Sequence, residues 1–387
     1  MHVLRSGKFG RIYFAALLLA LHYASTIYIG STFLSQFFPE KTLGFLYVAG
    51  ALITILILGS CTRLVRQFGN YTLTLAGVSI EIAALFALTL SRDLGIIAVS
   101  FIVLQSLPAF LIFNLDIFLE RKMQREGSTG KIRSTYLTVI NSAFVISPII
   151  VGSMIENGGY AVVYASAAII MTIFFVVVFD FFDPTIIHSF REVSFRDSVR
   201  KFSIRPALAS VYSINFLLQI FYALMVIYTP LYLHNTLGIG WETLGVIFTI
   251  MLLPFVIFEA PLGRIFDKYR GERDAMIAGF LIMSAAVITM SYVHSTSALL
   301  WGFLLFMSRV GASFVEIGSE FSFFRQVDSR DAGLISVFRT TSPLSYVLAP
   351  IIGFIVTINF PLVYIFPVIG AAMLLGAGLS YRLHGAK

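Results

Sequence analysis

The sequence predicts an all-α membrane protein of twelve transmembrane helices arranged as two parallel six-helix repeats, and three observations predict it. Apolar segments long enough to cross a bilayer recur from one end of the chain to the other. Lys and Arg gather on one side of the implied membrane. Short sequence matches recur at a nearly constant offset between the two halves. Composition agrees: 58% of the 387 residues are hydrophobic and 12% charged, with mean hydropathy +0.89, more apolar surface than a soluble domain has core to hide.

Span 1 (11–37) follows "MHVLRSGKFGR" and is too long for a signal-peptide core, with no small-residue cleavage site, so it is expected to be retained. Spans 2 to 6 (42–60, 71–91, 95–118, 135–155, 160–182) complete a first bundle, residues 1–182. The linker 183–206 carries "DPTIIHSFREVSFRDSVRKFSIRP". Its Phe190, Val193, Phe195, Val199 and Phe202 interleave with Arg191, Arg196, Arg200 and Lys201, which predicts a lateral amphipathic helix at the cytoplasmic interface. Spans 7 to 12 (207–234, 242–262, 275–292, 298–319, 341–359, 362–382) form the second bundle, 207–387.

Orientation follows from the basic residues. With the N-terminus inside, every one of the 27 Lys and Arg lies on or leads to the inner side except Lys41 and Arg92. The net charge of +7 is therefore read as a topology signal and not as a polyanion site, and no nucleic-acid partner is expected. Both termini are expected in the cytoplasm, and the protein in the cell membrane as a multi-pass monomer. Cys61 is the single cysteine, so neither an intramolecular disulfide nor a cysteine metal cluster is expected.

The repeat is the most informative organisational signal. Ile27-Tyr28 recurs at Ile227-Tyr228 and Thr42 to Gly44 at Thr243 to Gly245. "FGNYTLTLAG" (68–77) aligns with "RGERDAMIAG" (270–279), and "SPII" (147–150) with "APII" (349–352). Six is even, so the two copies share one orientation in the membrane.

Six plus six spans, both termini inside, a basic middle loop and a charged loop between spans 8 and 9 together resemble the major facilitator superfamily of secondary transporters, over essentially the whole chain. The most specific element is "GRIFDKYRGERD" (263–274), where Gly263, Asp267, Lys268, Gly271 and Arg273 follow the family's cytoplasmic loop motif. Arg270 stands where a glycine is usual, so the spacing is off by one. The first-half loop "CTRLVRQFGNY" keeps Arg66 and Gly69 but has no acidic residue, which makes an asymmetric gate the expectation. In span 5, Ala143, Ser147, Pro148 and Gly152 occupy positions of the family's antiporter motif, with Ala and Ser in place of Gly. That resemblance implies proton-driven efflux; the residues by themselves read as close packing and a bend, which the echo at Ala349, Pro350 and Gly353 favours.

An ionisable side chain at bilayer depth costs roughly 2.5–3.5 kcal/mol on insertion scales, so those present usually face a partner or a cavity. His22, Glu81 and Arg309 each sit on the order of 15 Å from their helix ends at about 1.5 Å per residue. His22 and Glu81 are the candidate proton carriers. Arg309, Ser313, Glu316 and Glu320 follow spacings of 4, 3 and 4 and form one stripe on span 10. The resemblance aims spans 1, 4, 7 and 10 at a central cavity, and so implies a substrate-cavity role for Arg309, Ser313 and Glu316, for Asn215, Gln219 and Tyr222 on span 7, and for Gln105 on span 4. Arg309 then either anchors an anionic group or pairs with Glu316 or Glu81 to hold helices in register. The polar residues of spans 4 and 7 equally suit helix–helix bonding. Asp116, Glu120, Glu316 and Glu320 lie toward the inner ends, where Arg66, Lys268 or Arg273 offers a gating partner.

No phosphate loop, dinucleotide fingerprint, metal-binding cluster or nucleophile elbow occurs, so no cofactor and no enzyme activity are expected. The expected function is secondary active transport of a small organic solute by alternating access, as proton-coupled efflux, with uptake symport or facilitated diffusion as alternatives. A non-transporting sensor or a lipid-acting membrane enzyme is the competing class.

Overall fold

Backbone groups inside hydrocarbon have no water to bond, so a spanning segment must satisfy them within itself. The computed structural model describes residues 9–123, 129–182, 195–269, 271–327 and 332–383, and among these the regular structure is helical, with no strand. Eleven helical stretches among them are long and apolar enough to cross a membrane. The chain divides into two compact units, one made of Met1–Phe38 and Phe45–Arg191, the other of Pro39–Gly44 and Glu192–Lys387.

The first unit comprises α1 (Gly10–Ile27), α2 (Gly30–Leu34), most of α3 (Glu40–Phe68), α4 (Asn70–Leu90), α5 (Leu94–Met123) and α6 (Thr129–Phe181). α1 packs on α5 and α6, and α4 packs on the same two helices. Apolar side chains close this bundle from within: Phe33 lies edge-on to Tyr164 at 4.8 Å, and Tyr47 edge-on to Phe101 at 5.0 Å. The outward-facing Leu56, Leu90 and Val99 are exposed, as a lipid-facing surface requires.

Two expectations are refined in this unit. The continuous span 11–37 is interrupted at Tyr28 and Ile29, between α1 and α2. Spans 5 and 6 are not separated: α6 runs through both, with a single 43-residue apolar stretch, Thr138–Asp180. At about 1.5 Å per residue that stretch is roughly 65 Å, twice a hydrocarbon core of about 30 Å. Its one non-helical residue is Gly159 (φ 73°, ψ −179°), a backbone conformation open to glycine and almost nothing else.

The second unit holds α7 (Phe195–Ile204), α8 (Pro206–Pro230), α9 (Trp241–Tyr269), α10 (Glu272–Met290), α11 (Ala298–Phe324), α12 (Ala332–Arg339), α13 (Thr341–Asn359) and α14 (Ile365–Arg382). Pro230 cannot donate a backbone hydrogen bond, and the helix beyond it widens to a π-helical turn over Leu231–Thr236. The break in each half follows the repeated Ile-Tyr pair closely, at Tyr28 and after Pro230. α11 packs between α9 and α10, and its closest crossing is at Gly311 and Gly279, where a Cβ on either residue would run into the other's carbonyl oxygen.

The amphipathic linker helix forms as α7, and its apolar side does not simply face lipid. Phe202 is buried in a cluster with Leu208, Val211, Phe323, Val337 and Phe338. Its ring lies 5.6 Å from Tyr212 and 6.2 Å from Phe323, which stacks on Phe338 at 4.1 Å. α7 is thereby fastened to α8, α11 and α12. Phe190, Arg191 and Val193 lie outside the described residues.

Candidate functional site

In the first unit, α1 and α4 bring His22 and Glu81 together. His22 Nε2 lies 3.3 Å from Glu81 Oε1, and both side chains are fully buried. Among the described residues no hydrogen bond reaches either ring nitrogen or either carboxyl oxygen. A buried polar group without a hydrogen bond costs about 1–3 kcal/mol, and among the described residues His22 and Glu81 have this contact with each other in place of one. Single-residue reasoning placed both residues at mid-depth, and only the crossing of α1 and α4 makes them neighbours.

One turn further along α1, Ser25 Oγ lies 3.0 Å from Ser147 Oγ of α6, and it also donates to the Leu21 carbonyl at 2.6 Å. Tyr23 meets Phe144 edge-on at 5.9 Å. Ser147, Pro148 and Gly152 thus lie on the helix that packs against α1, with Ser147 at the contact itself. Gln105 of α5 lays its Cβ and Cγ against Gly50 of α3.

In the second unit, the face of α11 predicted from spacing meets α8. Arg309 is 1% exposed, and its guanidinium carbon lies over two rings of α8, 4.8 Å from the centre of Phe221 and 5.2 Å from that of Tyr222. Tyr222 Oη donates to Glu316 Oε2 at 2.7 Å. Among the described residues Arg309 has no ion-pair partner, and its Nε and Nη1 have no hydrogen-bond partner. Within this unit the expected pair from Arg309 to Glu316 does not form among the described residues: Glu316 accepts from Tyr222. Ser313 is buried and donates to the Val310 carbonyl at 2.8 Å.

Asn215 ties three helices together. Its Oδ1 accepts from Thr341 Oγ1 of α13 at 2.7 Å, and its Nδ2 donates to Ser319 Oγ of α11 at 3.3 Å. Gln219, one turn on, is half-buried on the same face. In α13, Pro350 and Gly353 are buried, and Gly353 lies against the ring of Tyr228 of α8.

At the end of the unit near the chain's basic loops, Glu320 accepts two bonds from Arg339 of α12, at 2.6 and 3.4 Å. Glu272 pairs with Arg325 at 2.5 Å, and the Arg273 guanidinium lies 5.0 Å from the centre of the Tyr381 ring. The sequence offered Arg66, Lys268 or Arg273 as gating partners, and among the described residues of this unit Glu320 bonds Arg339. Asp116 is half-buried on α5, and Arg66 is exposed in the last turn of α3. Gly263, Asp267 and Lys268 fall in α9 with side chains outside the described ones, as is that of Glu120, and Arg270 lies outside altogether. Phe221 and Arg339 were not singled out from sequence, because contacts across helices leave no spacing signal within one helix.

Long apolar helices in two units, with a buried acid–base pair in one and a buried cation in the other, define a polytopic helical membrane protein with polar sites inside its bundles. The family comparison takes this further: the model of the Major Facilitator Superfamily matches residues 126–324, just over half of the chain, and the chain belongs to that superfamily. A search of the curated proteins found no match. Membership makes this a membrane transporter by family.

Proposed function

We propose that the protein is a secondary transporter that moves a small organic solute by alternating access, driven by a proton gradient in the direction of efflux. The observation that carries the coupling is the His22–Glu81 pair, fully buried and without hydrogen bonds among the described residues, on two helices of the first unit. Proton uptake at such a pair changes its charge where dielectric relief is least, so it changes which helix packing is favoured. The efflux direction rests on the antiporter-like positions Ala143, Ser147, Pro148 and Gly152.

The twelve-span arrangement is supported by the length of Thr138–Asp180 and its single break at Gly159, which together suit two crossings joined by a tight turn. On this reading the bundles are 1–182 and 207–387, joined by 183–206, with both termini in the cytoplasm and the protein in the cell membrane as a monomer. Arg309, Ser313, Glu316, Asn215, Gln219, Tyr222 and Gln105 face the solute, and Gly263, Asp267, Lys268, Arg273, Asp116, Glu320 and Arg66 serve the inner gate. The test is flux in liposomes holding the purified protein: an imposed pH gradient should drive solute movement, and flux indifferent to that gradient in both directions overturns the coupling.

A further inference from the structure

We infer that Arg309 is an oxyanion receptor and that the solute is a small organic anion, in the first instance a carboxylate; this rests on the transporter reading and narrows its substrate class. A guanidinium carries five N–H donors and a permanent charge. Arg309 holds that charge at 1% exposure near the middle of α11, without an ion-pair partner among the described residues and with Nε and Nη1 unbonded. What holds it is two aromatic faces, Phe221 and Tyr222, which offer attraction to the cation but no acceptor atoms.

The obvious internal counter-ion is diverted. Glu316 lies on the same stripe two turns away, yet its Oε2 accepts from Tyr222 Oη, and the same tyrosine turns its ring to Arg309. Tyr222 therefore touches both the cation and the carboxylate, and its hydroxyl occupies the carboxylate oxygen Oε2. Asn215, which could have offered a carbonyl oxygen two turns away on α8, has it bonded to Thr341. Among the described residues no acceptor reaches Arg309 Nε or Nη1, and a planar carboxylate from outside matches a guanidinium with two parallel bonds. A lipid headgroup is a poor source, because Arg309 lies about 16 Å along α11 from Ala298 at roughly 1.5 Å per residue, well inside the hydrocarbon layer.

The experiment is thermal melting of the detergent-purified full chain, wild type, Arg309→Met and Arg309→Lys, titrated with acetate, benzoate and succinate, each beside its neutral amide. The expected result has two parts. Carboxylates, and not amides, raise the wild-type melting temperature, and Arg309→Met weakens that binding by roughly tenfold or more, with Arg309→Lys between the two. Without ligand, Arg309→Met melts higher than wild type, since it removes a buried charge that has no ion-pair partner among the described residues. No stabilisation by any of the three carboxylates, an equal response in Arg309→Met, or an Arg309→Met protein that melts lower or does not fold overturns the receptor. Binding in detergent needs no gradient, so carboxylate binding without flux in liposomes sinks the transporter reading alone, and flux without carboxylate binding sinks the receptor alone.

Discussion

Tyr222 donates to Glu316 at 2.7 Å, and two hundred positions earlier His22 stands 3.3 Å from Glu81. The offset is that of the Ile-Tyr pairs at 27–28 and 227–228. In both halves this position reaches a carboxylate on a neighbouring helix, though the carboxylates sit on different helices, α4 and α11. The two hubs differ in chemistry. One hub pairs an acid with a base; the other pairs an acid with a neutral hydroxyl beside a fixed cation.

Glu81→Gln removes the acidic half of the first hub while keeping its size. Flux driven by an imposed pH gradient should fall to the level of empty liposomes, while counterflow exchange of solute continues. His22→Ala should do the same. PH-driven flux at wild-type rate in both variants removes the pair from the coupling step. Because the four polar atoms of the pair carry no hydrogen bonds among the described residues, Glu81→Gln should leave the melting temperature unchanged or raise it.

Tyr222→Phe isolates the second hub. The ring stays against Arg309, and the hydroxyl that serves Glu316 is lost. The loss of a donor to a half-buried carboxylate should cost about 1–3 kcal/mol in SDS-denaturation measurements. In a double-mutant cycle with Glu316→Gln, the two changes should couple by roughly 0.5–3 kcal/mol. Additive effects would mean that the bond contributes nothing to stability.

What the sequence disclosed was whatever depends on one helix at a time. Apolar run lengths announced the spans, basic residues the orientation expected of them, and the 4-3-4 spacing the face of α11 that meets α8. Pairings across helices were out of reach: Glu81 with His22, Arg309 with Phe221, Glu320 with Arg339 all depend on crossing geometry. The linker shows the same limit. Alternating Phe and Arg announced an amphipathic helix, but only the fold reveals that Phe202 enters an aromatic cluster of the second unit. The interruption at Tyr28 and Ile29 escaped for a different reason, since no Pro or Gly lies at those positions to announce it.

Glu320 and Arg339 form a partly exposed ion pair, so its contribution to stability should be under about 1 kcal/mol and Glu320→Gln should melt near wild type. Its expected effect is on conformational balance. Cys61 is the single cysteine, so a Cys61→Ser background accepts one reporter, Gln219→Cys. If the pair helps close the inner gate, Glu320→Gln should raise labelling of that reporter by an impermeant maleimide from the side carrying the N-terminus. Equal labelling with and without Glu320 assigns the pair to local packing of α12 on α11.

Gly159 offers the sharpest check on how the long apolar stretch of α6 is divided. At φ 73° and ψ −179° an alanine is strained even though no atom lies near enough to clash with its Cβ, so the cost is a property of the backbone alone. Gly159→Ala should destabilise by about 1–3 kcal/mol. Gly59 supplies the control: it is helical, with equally open surroundings, and there Gly→Ala should be neutral or stabilising by up to about 1 kcal/mol. If both substitutions behave alike, residue 159 continues the helix and the stretch is not turned at that point. If only Gly159→Ala loses stability, the turn is real, and reporter cysteines at Asn157 and Val139 should then label from opposite sides of the membrane.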